Sequence, residues 1–392
     1  MQVTVLGAGL VGSAMIRDLA QDGRFSVHAV DASQAALDRV AATHTVAPHG
    51  SGALTTERLD LSKAGHVEDA ISHADLVVCG VPGHMGFRTL ETIIGAGKDV
   101  VDISFFPEDA FLLDDLAHDR DVTAVVDCGV APGLCNMMAG YLELELDRLT
   151  KYLCYVGGLP TEPKWPYNYR SVFSPIDVIE EYTRPARYVE NGQEVVREAL
   201  SDIELVPLSI GTLEAFNTDG LRTLARTLDA PDMKEMTMRW PGHAELMRVF
   251  RETGFFSKDP IEIAGIVGGT GPVRVAPIDL VSKLMFDEWR MRDGEEDFTA
   301  MRVVIEGTLD GVLQRHTFDL LDRFDRVTGV TAMARTTGYT ATIVVRMVAD
   351  GLFARKGVSP PEFVGRTPGC WDALMAGYAE RGITVDRRVE TI

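Results

Sequence analysis

Short apolar runs rich in β-branched residues alternate with helical stretches through the first 127 residues of the chain. Each run is almost continuously apolar and ends at Gly, Pro or Asp, which is typical of a parallel strand buried on both faces. The predicted strands span residues 3–6, 26–30, 76–79, 100–103 and 122–126. Strands that alternate with helices at this spacing predict an α/β fold with a doubly wound parallel sheet.

The pattern changes near Gly129. From about residue 152 to residue 325, longer segments alternate apolar with polar positions and are broken by Gly- and Pro-rich turns. Alternation of this kind is typical of a sheet with one solvated face. The predicted strands span residues 203–208, 235–239, 301–306 and 317–321. We therefore expect a second α/β domain with a mixed sheet over residues 129–337, which closes over a first domain of residues 1–128.

Composition and charge restrict the class of partner. The 392 residues include 38 Lys and Arg against 58 Asp and Glu, a net charge of −20. A surface this acidic repels phosphate backbones and anionic lipids, so we expect no nucleic-acid and no membrane partner, whereas a cationic substrate is tolerated. The chain has no long apolar run and no export signal at its start, which predicts a cytoplasmic protein.

The five cysteines are scattered and form no CxxC pair. This spacing is typical of reduced thiols in a reducing compartment, and it offers no zinc site. No HExxH, GxSxG or Walker lysine motif occurs, so metalloprotease, serine hydrolase and nucleotide triphosphatase activities lack support. We accordingly expect no metal site.

A glycine-rich turn, Gly7-Ala8-Gly9-Leu10-Val11-Gly12, follows the first predicted strand directly and opens a predicted helix. Gly7 permits the tight turn, Gly9 lets the backbone approach a diphosphate, and Gly12 lets the helix pack closely on the strand. The start of the helix offers free N–H groups to the diphosphate. Strand, turn and helix in this order predict a Rossmann dinucleotide-binding domain, with all six residues of the turn at the coenzyme.

The ribose of the adenosine half has a candidate partner in Asp31, which closes the second predicted strand. A carboxylate at this position accepts the ribose hydroxyls and repels a 2'-phosphate, and the following residues, Ala32 and Ser33, supply no Arg to bind one. NAD is therefore favoured over NADP. A plain turn residue is the alternative for Asp31, and Asp60 is either a group near the adenine or a solvated loop acid.

Three more strand ends are expected at the same edge of the sheet. The turn Gly80-Val81-Pro82 is predicted to contact the ribose on the nicotinamide side, together with Ser104. Asp102 and Asp127 place carboxylates beside it. The segment 132–136 predicts a helix start whose free amides suit a carboxylate or the coenzyme. Ordinary strand-exit turns, helix caps and turn acids are the alternatives.

Aromatic rings alternate with Arg and Asn between residues 165 and 187. Rigid rings with forked cationic donors suit an amino-acid carboxylate, so Arg170 and Arg187 are candidates for binding one. A subunit interface, which favours the same residue types, is an equal alternative. His243 is the strongest candidate for a general base, because imidazole titrates near neutrality; a core or surface histidine without a catalytic role is the alternative.

These residues resemble the saccharopine dehydrogenase-like family, and within it the lysine 6-dehydrogenases. The matching stretches are spread over nearly the whole chain, and the block WPYNYRSVFSPIDVIEEYTRPARYVENG is far more specific than the glycine turn. The others include VTVLGAGLVGSAM, GVPGHMGFRTLE, VVDCGVAPGLCN, GTLEAFNTDGL and WPGHAELMRVFRETGFF. The resemblance implies a Rossmann domain completed by residues 338–392, and an inserted domain that carries the substrate pocket and the contact of a homodimer.

The activity implied by the resemblance is that of an NAD-dependent amine dehydrogenase acting on a small cationic amino acid. It is the oxidative deamination of the ε-amine of L-lysine to ammonia and 2-aminoadipate 6-semialdehyde, which cyclises to piperideine-6-carboxylate. For this reaction we expect Asp102 or Asp127 to hold the ammonium group, Arg170 or Arg187 the α-carboxylate, and His243 to transfer protons. These roles follow from charge and are not supplied by the resemblance.

Three other functions remain open. A saccharopine-forming or saccharopine-cleaving reductase uses glutamate rather than ammonia as the amine partner, and its substrate domain should contain more Arg and Lys. Arg170, Arg184 and Arg187 are enough for one or two carboxylates, so this reaction is not excluded. A relative of the carboxynorspermidine synthases favours NADPH, which Asp31 opposes. A non-catalytic NAD-binding sensor keeps the binding motifs without turnover.

Overall fold

The structure, a computed structural model, describes residues 1–43, 52–264, 271–292 and 294–392. Its N-terminal part contains β1 (Gln2–Leu6), α1 (Leu10–Ala20), β2 (Ser26–Asp31), α2 (Gln34–Thr43), β3 (Leu54–Arg58), α3 (Ala64–Ile71), β4 (Leu76–Cys79), α4 (Gly83–Gly95), β5 (Asp99–Asp102), α5 (Asp114–Asp119) and β6 (Thr123–Val125). The strands pair in parallel in the order β6-β5-β4-β1-β2-β3. The predicted doubly wound sheet is confirmed.

The continuous apolar runs form the centre of this sheet because they are covered on both faces. Val5 belongs to a buried cluster with Met15 of α1, whereas Val77 belongs to a second cluster with Ile93 of α4. Sequence reasoning missed β3, whose residues Leu-Thr-Thr-Glu-Arg are partly or fully exposed at the sheet edge. An edge strand with so little burial carries no apolar signal.

The second domain is built on a mixed sheet. Its strands are β7 (Arg148–Pro160), β8 (Ala186–Glu190), β9 (Gln193–Arg197), β10 (Glu204–Leu208), β11 (Gly211–Asn217), β12 (Asp232–Arg239), β15 (Asp297–Leu309) and β16 (Val312–Arg323). The main order is β10-β11-β12-β7-β15-β16, and β8 pairs with both β9 and β12. Only β12 and β7 run parallel among these described pairs, so the predicted mixed sheet is confirmed.

Helices and one small hairpin complete the second domain. They are α6 (Leu134–Glu145), α7 (Pro175–Thr183), α8 (Leu224–Thr227), α9 (His243–Glu252), α10 (Pro277–Trp289), and the hairpin of β13 (Ile261–Ile263) and β14 (Val273–Val275). Tyr182 of α7, Met247 of α9 and Trp289 of α10 share a buried cluster. This cluster fixes α7, one face of which lines the cavity described below.

The C-terminal tail returns to both sheets. It contains α11 (Ala332–Ala349), β17 (Gly357–Ser359), α12 (Pro361–Gly365), α13 (Cys370–Glu380) and β18 (Val385–Thr391). β17 extends the first sheet beside β6, and α11 packs against α1, whereas β18 pairs with β16 at the edge of the second sheet. Residues 338–392 are therefore not confined to the first domain, and the expected boundary at residue 337 falls inside α11. That helix begins at Ala332, where the Thr331 hydroxyl caps it by accepting from the Ala334 amide.

No helix among the described residues combines the length and the apolar character that crossing a bilayer requires.

Candidate active site

A cavity of about 620 Å³ lies where the carboxyl ends of the parallel strands meet the second sheet. In an open α/β sheet, ligands bind at this edge. The predicted coenzyme residues that line it are Gly7, Gly9, Leu10, Val11, Gly12, Asp31, Ala32, Asp60, Gly80, Val81 and Pro82. The opposite wall comes from β7, α7, the turn at residues 218–220 and β12. A ligand in this cavity therefore contacts both domains.

Two glycines of the N-terminal turn are required by close packing, and a third faces open space. A Cβ on Gly12 would lie 2.1 Å from the Gly7 carbonyl oxygen, and a Cβ on Gly7, whose φ is +100°, would lie 2.5 Å from the Gly80 oxygen. A Cβ on Gly9 would meet no described atom within 4 Å. A diphosphate thus has room at Gly9, against the first turn of α1, where backbone amides lack intrahelical partners.

Asp31 connects the end of β2 to the glycine turn. Its Oδ2 accepts a hydrogen bond from the Ala8 amide at 2.6 Å, and its Oδ1 accepts one from the Ser33 amide at 2.7 Å. Ala8 is therefore buried behind the turn and does not line the cavity, contrary to prediction. Sequence reasoning also missed a neighbouring cation, because Arg58 is distant in sequence. Arg58 lies in register with Asp31 on β3, and its Nε donates to the Ala32 carbonyl at 3.0 Å.

At the predicted nicotinamide end, the turn Gly80-Val81-Pro82 lines the cavity, whereas Asp102 and Ser104 do not. Asp102 is fully buried, and its Oδ2 accepts the Ser104 amide at 3.1 Å. Burial raises the pKa of Asp102 to about 7. The Ser104 hydroxyl lies 3.6 Å from the Cys79 sulfur, inside the protein. The structure thus corrects both predictions, because neither side chain reaches the cavity.

Asp127 lines the cavity but is already neutralised. Arg222 donates to it through two hydrogen bonds, Nε to Oδ2 at 3.0 Å and Nη2 to Oδ1 at 3.1 Å, and both side chains are buried. The pair joins the end of β6 to the second domain. Asp127 is therefore a link between domains, and the structure does not leave its charge available to a substrate ammonium group.

The helix start predicted at residues 132–136 also has its amides engaged. α6 begins at Leu134, whose amide donates to the Gly129 carbonyl at 2.9 Å. The Gly133 amide donates to Oδ1 of Asn136 at 3.1 Å. The amides of Gly133 and Leu134 are therefore not available to a ligand carboxylate, which corrects the expectation at these two positions.

The two arginines predicted to bind a carboxylate are both occupied and lie outside the cavity lining. Arg170 is buried, with its Nε 3.1 Å from Oε2 of Glu295. Arg187 donates from Nε and Nη2 to the two carboxylate oxygens of Asp219, each at 2.9 Å. The prediction is corrected on both positions, because each guanidinium neutralises a protein carboxylate.

His243 is enclosed in the aromatic cluster and does not line the cavity. Its Nδ1 donates to the Tyr167 carbonyl at 2.7 Å, and its Nε2 accepts from the Tyr182 hydroxyl at 2.8 Å. Burial, together with the Arg239 charge, lowers the pKa of His243 to about 3. A neutral, fully bonded imidazole is a structural residue, so the prediction of a general base at His243 is corrected.

The cavity wall carries charged residues that were not among the predicted site residues, although Arg184 is one of the three arginines that the sequence offers to a carboxylate. The acids are Asp177, Glu180, Glu181, Asp219 and Glu235, and the cations are Arg184 and Arg239. Arg239 is occupied, with its Nη2 2.6 Å from Oε2 of Glu181. Arg184 differs, because its Nη1 is buried without a hydrogen-bond partner among the described residues. Arg184 is thus the lining cation with an unused donor in the part of the chain that the structure describes.

The surroundings of Arg184 orient its guanidinium. The Arg184 Cζ lies 5.1 Å from the centre of the Phe105 ring, and the Arg222 Cζ lies 4.8 Å from the same ring. Its nearest carboxylate is Glu180, at 3.9 Å from Nη2, which is a weak ion pair. Burial and the charge of Arg222 lower the pKa of Arg184. A buried guanidinium with an open donor is suited to an anionic group that enters the cavity.

Asp177, on the first turn of α7, lies close to the predicted nicotinamide turn. Its Oδ1 would be 3.3 Å from a Cβ built on Gly83, the first residue of α4. Burial raises the pKa of the Asp177 carboxyl. Asp177 therefore places a proton-accepting carboxyl at the end of the cavity opposite the adenosine side.

Two signals in the sequence point to these missed residues. Arg184 and Asp177 lie in the aromatic and Arg-rich block, where Arg170 and Arg187 were equally plausible by charge. Glu235 stands in an otherwise buried stretch of β12, and an acid in a buried strand indicates a functional position. Which Arg is already paired depends on long-range contacts that spacing does not reveal.

Comparisons with known proteins agree with both domains. Residues 3–125 match the family described as "Saccharopine dehydrogenase NADP binding domain", and residues 129–383 match "Saccharopine dehydrogenase C-terminal domain". The α-aminoadipic semialdehyde synthase of Arabidopsis thaliana is 24% identical over 222 residues, covering 53% of this chain and 21% of that protein. The mitochondrial synthase of Bos taurus is 21% identical over 433 residues, covering 92% of this chain and 45% of that protein. The chain spans less than half the length of these synthases.

A yeast relative matches along its whole length. Saccharopine dehydrogenase [NADP(+), L-glutamate-forming] of Saccharomyces cerevisiae is 23% identical over 428 residues, covering 92% of this chain and 93% of that protein. The solved structure of the apo histidine-tagged saccharopine dehydrogenase (L-Glu forming) from the same yeast has a TM-score of 0.76 at 19% identity, covering 99% of both chains. At that identity the likeness establishes the fold.

Proposed function

The chain belongs to the saccharopine dehydrogenase family of nicotinamide-dinucleotide oxidoreductases, and we propose a specific reaction for it. We propose that it catalyses the NAD-dependent oxidative deamination of L-lysine at the ε-carbon. The products are ammonia and 2-aminoadipate 6-semialdehyde. The proposal names the substrate class as a small cationic amino acid with one carboxylate.

The unused donor of Arg184 is the observation that carries this proposal. Among the described residues of the cavity wall, Arg184 can serve one substrate carboxylate, whereas Arg239 is held by Glu181. The wall otherwise carries an excess of acids. L-Lysine brings one carboxylate and two ammonium groups, so its charges complement the wall. Saccharopine brings three carboxylates, two of which would face acids.

Each step of the reaction has a residue suited to it. Arg184 binds the α-carboxylate and so directs the side chain toward the turn at Gly80. Asp177, near Gly83, accepts a proton from the ε-ammonium, because only the neutral amine can give up electrons to form the imine. The bound nicotinamide supplies the acceptor for the hydride that leaves the ε-carbon. Water then adds to the imine carbon, and ammonia departs.

NAD is the proposed coenzyme because Asp31 lines the cavity with a carboxylate that two backbone amides hold in place. A 2'-phosphate at the adenosine ribose would meet this negative charge. Arg58 is the nearby cation, but it does not line the cavity, and its Nε donates to the Ala32 carbonyl. We therefore expect NAD to be preferred and NADP to be used weakly.

A second candidate is oxidation of saccharopine, favoured by the full-length similarity to the yeast enzyme of that name. This reaction needs cationic partners for two further carboxylates. Arg222 and Arg239 are the other guanidiniums near the wall, and both are paired with protein acids. We rank this reaction second for that reason.

One assay separates the two candidates. Purified protein is mixed with NAD and single amino acids, and the near-ultraviolet absorbance of the reduced coenzyme is followed. Reduction with L-lysine alone supports the proposal. Reduction with saccharopine but not with L-lysine overturns it in favour of the second candidate, and silence with every amine favours a non-catalytic sensor.

A further inference from the structure

Glu235 presents a carboxyl to the cavity without any partner in the described protein. It lies on β12, is buried, and lines the cavity wall. Its Oε2 has no hydrogen-bond donor among the described residues. Gly220 provides the space for this carboxyl, because a Cβ on Gly220 would lie 2.0 Å from Oε1. The fold thus makes room for an acid and then leaves it unpaired.

The cations near Glu235 are already used. Arg222 neutralises Asp127, Arg187 neutralises Asp219, and Arg239 neutralises Glu181. The titratable and charged groups that face Glu235 from the surrounding elements are Asp219, Glu181, Asp127, Arg222, Tyr188, Tyr152, Cys154 and Cys135. The two thiol sulfurs lie within 4.8 Å of a Glu235 carboxylate oxygen. None of these groups is a cation free to pair with Glu235.

An isolated buried carboxylate is costly, so the carboxyl of Glu235 holds its proton in the ligand-free protein. Burial, followed by the charges of Asp219, Glu181 and Asp127, raises the pKa of Glu235 to about 8. A cation that enters the cavity beside it would supply the missing partner. Ionisation of Glu235 is then coupled to binding of that cation.

The α-amino acid head of the substrate fits this position. Arg184 and Glu235 both line the cavity, and each interacts electrostatically with Asp219 and Arg222. A guanidinium and a carboxyl that line one cavity match a carboxylate and an ammonium group carried by one ligand. Asp177, beside Gly83, remains for the ε-amine.

Building on the proposed lysine chemistry, we propose that Glu235 binds the α-ammonium group of the substrate and loses its own proton to solvent as it does so. The pair Arg184–Glu235 then selects α-amino acids over simple diamines. In the ligand-free protein the neutral carboxyl of Glu235 avoids the free-energy cost of an isolated buried charge, and it ionises only when the cation binds.

The test measures proton release on binding. L-Norleucine, which has the α-amino acid head of lysine but no ε-amine, is titrated into the protein with bound NADH. Calorimetry is performed at neutral pH in buffers of different ionisation enthalpy. We expect the wild type to release about one proton per ligand bound, and the isosteric variant Glu235→Gln to bind more weakly and release none. Glu190→Gln, a variant of an acid that pairs with Arg197 at the surface and lies outside the cavity lining, should release as many protons as the wild type.

A second measurement on the wild type does not depend on the folding of any variant. Proton release should fall as the pH is raised through about 8, because Glu235 is then ionised before the ligand binds. Binding without proton release at neutral pH, or release that persists in Glu235→Gln, would overturn the inference. If proton release from Glu235 accompanies L-norleucine binding but L-lysine reduces no coenzyme, the inference about Glu235 is supported and the proposed deamination is overturned. If no amino acid binds, both the inference and the proposed deamination are overturned.

Discussion

Replacing Arg184 by Met should convert an amino-acid dehydrogenase into one that no longer distinguishes lysine from its decarboxylated analogue, 1,5-diaminopentane. Met keeps the apolar length of the side chain and removes the guanidinium of a cavity-lining residue, whose buried Nη1 has no partner among the described residues. A hydrogen bond to a charged group contributes about 2 kcal/mol. The Arg184 side chain is only 16% exposed, so solvent screening is weak. The loss corresponds to about a 30-fold fall in kcat/KM for L-lysine.

The assay compares kcat/KM for the two substrates in wild type and variant. The diamine has no carboxylate, so its kcat/KM should change little when Arg184 is replaced. The substitution also removes the contact between Arg184 and the Phe105 ring. That loss should change kcat/KM equally for both substrates, so it cancels in the ratio of the two kcat/KM values. Arg184→Lys should give an intermediate value, because it keeps the charge and loses the forked geometry.

Arg197→Met is the matched control, since Arg197 pairs with Glu190 at the surface and lies outside the cavity lining. It should leave the ratio of the two substrates unchanged. An equal fall for lysine and for the diamine in Arg184→Met would refute the carboxylate contact. So would an undiminished preference for lysine.

Three further predictions concern the coenzyme and the buried histidine. Asp31→Ala should shift the NAD/NADP ratio of kcat/KM toward NADP; an unchanged ratio would exclude a role for Asp31 at the ribose. Gly9→Ala should fold normally and bind NADH more weakly in a fluorescence titration. Gly12→Ala should lower the melting temperature, because the new Cβ would lie 2.1 Å from the Gly7 carbonyl oxygen. Equal melting temperatures of the two variants would contradict the packing argument. The pKa of His243 is lowered to about 3 in the folded protein. As the pH falls, the His243 imidazole is therefore protonated in the unfolded chain before it is protonated in the folded protein. Stability should therefore drop below about pH 6.5 by up to about 1.4 kcal/mol per pH unit. In denaturant unfolding, His243→Gln should reduce the pH dependence of the free energy of unfolding, and it should leave the pH profile of kcat unchanged. Loss of the acid or the alkaline limb of that kcat profile would instead identify His243 as a catalytic group.

The fold was largely accessible from the sequence because its central strands are buried on both faces. Val3–Leu6 and its parallel neighbours are continuous apolar runs that end in small or acidic residues, which is the pattern such strands require. β3 and β18 escaped prediction for the opposite reason. Both are exposed edge strands rich in charged residues, and only their pairing to a neighbour makes them strands.

The coenzyme side of the site could also be predicted from the sequence, because the spacing of the glycines and the acid at a strand end depend on local backbone geometry. The substrate side could not. Asp127, Arg170, Arg187 and His243 are all the right residue types, yet each is satisfied by a partner far away in sequence. Charge alone cannot show which of several arginines keeps an unused donor. Among the described residues of the cavity wall, Arg184 does, at its Nη1.

The proposed reaction requires the ε-carbon of L-lysine to meet the nicotinamide in the cavity between the two domains. Incubation of the protein with NAD and L-lysine deuterated at the ε-carbon tests it directly, with the reduced coenzyme analysed by mass spectrometry. We expect reduced coenzyme that carries deuterium, together with unlabelled ammonia. Reduced coenzyme without deuterium, or no reduction by L-lysine at any coenzyme concentration, would contradict it.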